Sequence, residues 1–151
     1  MTKVSIINVP GYFKLLIRGH AGYGQAKGLP QGHDIVCAAI STLGQTAAQC
    51  MLDLSEEQAV IIREMRVEAG LIDLRVLAKE KAQKRLESMV YTIQRGFELL
   101  RDSYPDFVAL EVESGLVEME KGFVLPYEVK ARGKDRRKEG HAGETAGEET
   151  I

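Results

Sequence analysis

Two histidines and one cysteine lie close together in the segment 19–41, which reads GHAGYGQAKGLPQGHDIVCAAIS. His20 and His33 are two of the three histidines in the chain, and Cys37 is one of its two cysteines. A cysteine thiolate is a strong nucleophile, and a neighbouring histidine can form an ion pair with it and later protonate a leaving amine. His20 and Cys37 are therefore candidates for nucleophilic attack on a carbonyl group.

The start of a predicted helix suggests how Cys37 is activated. Apolar residues recur at helical spacing from Ile35 to Leu54, and Asp34 precedes them as a good N-cap residue. Cys37 then lies in the first turn, where unpaired N–H groups and the helix dipole stabilise an anion such as a thiolate. An alternative of equal weight is that Cys37 is a small buried residue of the apolar run IVCAAI.

Supporting roles are expected for residues around the cysteine. Ser41 follows Cys37 by one helical turn, and its hydroxyl is expected to bond either the thiol or the Cys37 carbonyl. The N–H group of Cys37 is a candidate donor to an oxyanion. A metal site built from His20, His33 and Cys37 would lack a fourth ligand at suitable spacing, so neither a metal nor another cofactor is expected.

The glycine-rich segment between the candidate catalytic residues is predicted to be a flexible loop. Gly22, Gly24 and Gly28 keep its backbone mobile, while Leu29 and Pro30 are candidates to contact an apolar side chain of a substrate. No Lys-Ser or Lys-Thr follows these glycines, which argues against a phosphate-binding loop. The expected role of this substrate loop is to close over a peptide and exclude water.

The rest of the pattern predicts an α+β fold in the order ββαββαβ. Two hairpins each precede a helix, and a final strand follows the second helix, with predicted elements at 3–9, 12–19, 35–54, 60–69, 71–78, 82–104 and 106–114. Paired strands alternating with helices are typical of a two-layer sandwich. We expect a mostly antiparallel sheet with two helices packed on it.

Three regions follow from the distribution of apolar residues. Residues 1–114 form the predicted domain, and residues 115–130 form an extension with a candidate edge strand in GFVLPYEV. Pro126 within that strand suits an edge position, because proline has no N–H group to donate to a neighbouring strand. Residues 131–151 are basic and then acidic, with almost nothing to bury, and are expected to be disordered.

Composition excludes several classes of function. The chain has 151 residues, 20 basic and 22 acidic, with a formal net charge of −2, so nothing attracts it globally to nucleic acid or to an anionic membrane. The N-terminus does not resemble a signal peptide, and no run of apolar residues is expected to span a bilayer. A cytoplasmic location and free cysteine thiols are therefore expected.

The combination GHAGYG…GHDIVCAAIS resembles the signature of the ribosomal-processing cysteine protease family, Prp. In that signature a GHA motif and a short loop precede DIVCA, and a serine follows the cysteine by one turn. The later segments EAGLIDLRV and GFELLRDSYPDFVALEV are similar to the family's second hairpin and its final helix and strand. The resemblance covers residues 3–114.

The resemblance implies a cytoplasmic bacterial cysteine endopeptidase of α+β fold. Such an enzyme is usually a homodimer, and it acts on a protein substrate. It implies His20 and Cys37 as the catalytic pair, with Asp34 and Ser41 in support. The family removes an N-terminal extension from a large-subunit ribosomal protein, and some members cut phage structural proteins. Here the loop before Cys37 is longer than is usual in the family and the chain continues past the usual end, so a different substrate, such as a phage-encoded protein, is the expected alternative.

Two other functions remain as alternatives. The first is a non-catalytic dimeric binding module on the same fold, which slow alkylation of Cys37 at pH 6 would favour. The second is a nucleic-acid binder acting through KARGKDRRK, which is weak because an acidic block follows these residues.

Overall fold

The computed structural model describes residues 1–114 and the backbone of residues 119–120 and 123–124. Its strands and helices are β1 Thr2–Val9, β2 Tyr12–Arg18, α1 Tyr23–Ala26, α2 Ile35–Glu56, β3 Val60–Glu68, β4 Leu71–Ala78, α3 Gln83–Ser103, β5 Val108–Ser114, β6 Met119–Glu120 and β7 Phe123–Val124. A single 3₁₀ turn, Glu80–Ala82, precedes α3. All seven predicted elements of the domain are present, whereas helix α1, the 3₁₀ turn and strand β6 were not predicted.

The five strands β1 to β5 form one mixed sheet in the order β3-β4-β2-β1-β5. The pairs β1–β2, β2–β4 and β3–β4 are antiparallel, whereas β5 lies parallel to β1. The predicted α+β fold is confirmed, with a mixed sheet rather than a purely antiparallel one. The parallel pair arises because α3 carries the chain back along the sheet, and parallel strands need such a crossover.

Both long helices pack on the sheet through its buried face. Alternate residues of β2, Phe13, Leu15 and Ile17, are buried there. Helix α2 approaches the sheet closely at Gly44, where a Cβ atom would lie 2.5 Å from Ile72 Cδ1 and 2.9 Å from Ile17 Cδ1. The absence of a side chain at Gly44 therefore lets α2, and with it Cys37, lie close to the ends of β2 and β4.

Helix α2 also corrects one expectation from composition. By length and apolar content alone it could cross a membrane, with a mean hydropathy of 1.4 over its most apolar window. Its buried residues instead face the sheet within the core of the domain and are Val36, Ile40, Gly44, Ala47, Ala48, Met51 and Leu54. Burial of one such stripe is typical of a helix in the core of a folded domain.

The C-terminal extension is described only in part. Strands β6 and β7 pair with each other as a separate two-stranded sheet, and β7 lies against β4. Apart from Phe123–Val124, the candidate edge strand of residues 122–129 lies outside the described residues, as does the polar tail 131–151.

Candidate active site

A cleft of about 410 Å³ opens at the end of the sheet where β2 and β3 finish and β4 begins. Two of its walls are formed by α2 and by the turn between β3 and β4, the β3–β4 turn (69–70). Its lining residues are Thr2, Ile17, Gly19, His20, Cys37, Ile40, Ser41, Gln45, Val67, Glu68, Ala69, Gly70, Leu71 and Ile72. Both candidate catalytic residues and Ser41 therefore line the same cleft.

His20 lies two residues after the end of β2, and its exposed ring lies against Gly70 of the β3–β4 turn. A Cβ atom built on Gly70 would be 3.1 Å from His20 Nε2 and 3.3 Å from Cε1. The neighbouring Gly19 N–H donates to the Gly70 carbonyl at 3.0 Å. The turn thus fixes the backbone that carries His20, and the missing side chain of Gly70 leaves room for the His20 ring.

Cys37 lies in the first turn of α2 with a half-buried free thiol. Asp34 has extended backbone angles, and its Oδ1 accepts the Cys37 N–H at 2.9 Å, so the predicted N-cap is confirmed. This cap fixes the first turn of α2, and thereby the direction in which the Cys37 side chain leaves the helix.

Asp34 also binds the segment that follows His20. Its second oxygen, Oδ2, accepts the Gly24 N–H at 2.9 Å, which joins α1 to the start of α2. Burial favours the neutral acid, but hydrogen bonds from the N–H groups of Gly24 and Cys37 outweigh it and hold the pKa of Asp34 below its usual value. Asp34 is therefore an anion at neutral pH that holds two parts of the site together.

The N–H groups near the sulfur are arranged differently from the expectation. The Cys37 N–H, expected as an oxyanion donor, is committed to Asp34, because an N-cap carboxylate takes the first donors of a helix. The Ala21 N–H instead points at the sulfur, with an N–Sγ distance of 3.3 Å. No sequence pattern indicated Ala21, since every residue except proline carries a backbone N–H.

Ser41 is exposed and lines the cleft one turn after Cys37. In residues 1–114 its hydroxyl forms neither expected bond, to the Cys37 thiol or to the Cys37 carbonyl. Within the same residues no hydrogen bond joins the His20 ring to the Cys37 sulfur. Both side chains line one cleft, and catalytic hydrogen bonds are often long until substrate binds.

The predicted substrate loop lies outside the lining of the cleft. Gly24 is buried against Asp34, where a Cβ atom would lie 3.2 Å from Asp34 Cβ, so it does not serve as a mobile hinge. Gly22 is half-buried, with a φ of 79° that favours glycine. Gly28, Leu29 and Pro30 are exposed, and their contact with a substrate stays a prediction.

Aromatic contacts explain why the first part of this loop is ordered. The Tyr23 ring of α1 lies edge-on to Tyr104 at 5.5 Å and to Phe107 at 5.2 Å between ring centroids. Such edge-to-face pairs are favourable and anchor α1 against the α3–β5 connection. The β3–β4 turn, rather than the substrate loop, forms the wall of the cleft opposite α2.

A wider depression of about 820 Å³ lies at the other end of the sheet, between α3 and the ends of β1 and β5. Among the described residues, its lining includes Asn8, Tyr91 and Ser114 and contains neither histidine nor cysteine. Across the described part of the chain, no three His, Cys, Asp or Glu side chains cluster as metal ligands would. The chemistry-bearing residues thus converge on the smaller cleft.

Comparison with known proteins shows which family and fold this chain resembles. The family model described as cysteine protease Prp matches residues 1–109. The structure of SMU.848 from Streptococcus mutans is 22% identical, covers 76% of this chain and 96% of its own, and has a TM-score of 0.53. A search of curated protein sequences finds no significant match.

Two solved structures of the essential ribosomal processing protease Prp from S. aureus share the fold. The complex with a covalently linked product peptide is 20% identical, covers 75% of this chain and 100% of its own, and has a TM-score of 0.59. The complex with a substrate peptide is 16% identical over 75% and 100% of the two chains, with a TM-score of 0.52. By the family match over residues 1–109, this chain belongs to the Prp family of cysteine proteases.

Proposed function

We propose that this chain is a cytoplasmic, homodimeric endopeptidase that removes the N-terminal extension of a large-subunit ribosomal protein, using His20 and Cys37. The observation that carries the proposal is the convergence of these two side chains on one cleft of about 410 Å³. The name of the S. aureus relative, a ribosomal processing protease, supports the substrate class. The dimer and the cytoplasmic location are supported by the family resemblance alone.

The proposed reaction needs only the groups in the cleft. The Cys37 proton passes to His20, and the thiolate attacks the carbonyl carbon of the scissile bond while the carbonyl electron pair moves to oxygen. The tetrahedral intermediate collapses to a thioester, and the leaving amine takes the proton from the His20 imidazolium. Water then hydrolyses the thioester, with His20 accepting its proton and returning it to sulfur.

The walls of the cleft suit an extended peptide. Ile17, Ile40 and Ile72 offer an apolar surface for one substrate side chain, and Gln45 and Glu68 offer polar groups towards its edge. Among the described residues, the lining contains no phenylalanine, tyrosine or tryptophan and no arginine or lysine. Recognition of a small or aliphatic side chain next to the scissile bond fits this lining better than recognition of an acidic one.

Mass spectrometry tests the proposed activity directly. The purified full chain is incubated with the extended ribosomal protein from its own genome and, in parallel, with a library of extended peptides. We expect one new N-terminus at the extension junction, formed by the wild type and not by Cys37→Ala. Absence of any cleavage by a folded wild-type protein, with slow alkylation of Cys37 at pH 6, would favour the binding module.

Replacement of Gly70 by alanine is expected to impair cleavage through His20. The added Cβ would lie 3.1 Å from His20 Nε2, closer than ordinary van der Waals contact, so the ring must move by a few tenths of an ångström. Because misplacement of a catalytic group is costly, we expect kcat to fall by about tenfold or more. The measurement is steady-state cleavage of the peptide identified above.

Gly32→Ala is the matched control for backbone strain. Gly70 and Gly32 have φ values of 74° and 89°, and a Cβ on Gly32 would meet nothing within 4 Å. Both variants are expected to lose about 1 kcal/mol of stability, since alanine disfavours this region. Equal kcat values for the two variants would show that contact with Gly70 does not position His20.

A further inference from the structure

The sulfur of Cys37 has one backbone donor aimed at it from outside its own helix. The Ala21 N–H points at Sγ with an N–Sγ distance of 3.3 Å. Ala21 is only 2% exposed, and its methyl group belongs to the core cluster. The N–H is therefore held in place by burial of the residue that carries it.

The N–H group of Cys37 itself is already used within the first turn of α2. The Cys37 N–H donates to Asp34 Oδ1 at 2.9 Å, and the Asp34 carboxylate places a negative charge at the helix N-terminus. An anionic cap offsets the positive end of the helix dipole that would otherwise favour a thiolate. A hydrogen bond from an N–H group to an anion is stronger than one to a neutral acceptor, which makes Ala21 important here.

We propose that the backbone N–H of Ala21 is a catalytic donor that stabilises the Cys37 thiolate and then the oxyanion formed by its attack; this inference rests on the proposed function. As the sulfur bonds to the carbonyl carbon, its negative charge passes to the carbonyl oxygen. That oxygen is two bonds from the sulfur, within reach of a donor already beside it. When the intermediate collapses, the electron pair returns to the carbonyl and the amine leaves with the His20 proton.

The segment 19–24 has the rigidity that such a donor requires. Gly19 N–H donates to the Gly70 carbonyl at 3.0 Å, and Gly24 N–H donates to Asp34 at 2.9 Å, so the segment is bound on both sides of Ala21. A donor fixed before the reaction loses no reorganisation energy when charge develops on the substrate. The same hydrogen bonds make Gly19 and Gly24 positioning residues for the Ala21 N–H.

A single-atom change of the backbone tests the proposal. Lactic acid incorporated at position 21 of the full chain by nonsense suppression replaces the N–H of Ala21 by an ester oxygen and keeps its methyl group. Within the described residues the His20 carbonyl, which the ester also weakens, accepts no hydrogen bond. We expect kcat/KM to fall by about 10²–10³-fold, as when one oxyanion donor is removed from other proteases.

Glycolic acid at position 32 is the control. In the described part of the chain the Gly32 N–H donates to no protein group, so this ester should cleave peptide like the wild type. Circular dichroism establishes that both esters fold. A value of kcat/KM at position 21 within about threefold of the control would overturn the proposal, because a catalytic oxyanion donor contributes far more.

Alkylation of Cys37 separates stabilisation of the thiolate by the Ala21 N–H from stabilisation of the oxyanion. Iodoacetamide reacts with the thiolate and forms no oxyanion, so the position-21 ester should alkylate several-fold more slowly at pH 6. Cleavage by the position-21 ester should remain impaired at a pH where the two proteins alkylate at equal rates; full recovery of cleavage there would overturn the oxyanion part. If the wild type cleaves no peptide, the proposed function fails, while alkylation still tests the contact between Ala21 and the thiolate.

Discussion

Cys37→Ala is expected to abolish peptide cleavage, with kcat/KM falling by at least about 10³-fold and the fold preserved. Removal of a nucleophile leaves only the rate enhancement supplied by binding and by the oxyanion donor. The side chain is half-buried and packs beside the core without being part of its centre, so truncation to a methyl group leaves only a small cavity. Cleavage of the extended peptide and the thermal unfolding curve are measured on the same preparation.

Cys50→Ala is the matched control on the same helix. Cys50 is also a partly buried free cysteine packed beside the core, but it does not line the cleft. The Cys50→Ala variant should cleave peptide within about twofold of the wild-type rate, because Cys50 shares no partner with the catalytic residues. Iodoacetamide at pH 6 should label Cys37 ahead of Cys50, and loss of cleavage in the folded Cys50 variant would mean that the nucleophile is wrongly assigned.

Local pattern predicted the helices, strands and cap of this protein well. Helix α2 begins at Ile35 as predicted because Asp34 is a strong N-cap residue directly before an apolar stripe. Helix α3 ends at Ser103 because Pro105 cannot continue it, and the order of the domain elements is confirmed. These features depend on neighbours in sequence, which is the information that periodicity and capping rules use.

Features that depend on distant residues were not predicted. The placement of Gly70 beside His20 follows from the register of β2 with β4, where Arg18 pairs with Leu71. Periodicity does not report which strands pair, so the β3–β4 turn was not expected to form a wall of the cleft. The substrate loop was expected at the site because it lies between His20 and Cys37 in sequence, yet Tyr23 anchors its first part elsewhere.

Asp34 caps helix α2, as predicted, and also binds the Gly24 N–H, which was not predicted. Its spacing from Cys37 predicted the cap, and the structure confirms it. Its bond to the Gly24 N–H depends on α1, a short helix that no sequence pattern indicated. Through this second bond Asp34 connects the backbone that carries Ala21 to the helix that carries Cys37.

Asp34→Ala is therefore expected to reduce both stability and activity. Loss of an N-cap costs about 1–2 kcal/mol of unfolding free energy. Without the bond to Gly24 the segment 19–24 is held less firmly, so the Ala21 N–H and the sulfur lose their alignment, and we expect kcat/KM to fall by about 10-fold or more. Both quantities are measured by urea unfolding and peptide cleavage at pH 7.

Asp53→Ala is the control for removing a carboxylate from α2. Asp53 accepts a hydrogen bond from the exposed side chain of Gln49 at 3.0 Å and lies far along the helix from the cleft. We expect its stability to change by less than about 0.5 kcal/mol, as for most surface substitutions. Equal activity of the Asp34 and Asp53 variants would contradict the role of Asp34 in aligning the site.

The contribution of Asp34 to the free energy of unfolding should decrease at acidic pH. The pKa of Asp34 is lowered in the folded protein from its ordinary value of 3.8, so its charged form stabilises the fold above that pH. This stabilisation is lost as the pH falls below 3.8 and through the lowered pKa, because the folded carboxylate must then be protonated. The difference in unfolding free energy between the wild type and Asp34→Ala should therefore be constant from pH 5 to 7 and shrink towards pH 2. A difference that grows as the pH falls would mean that the Gly24 and Cys37 N–H groups do not favour the charged form of Asp34.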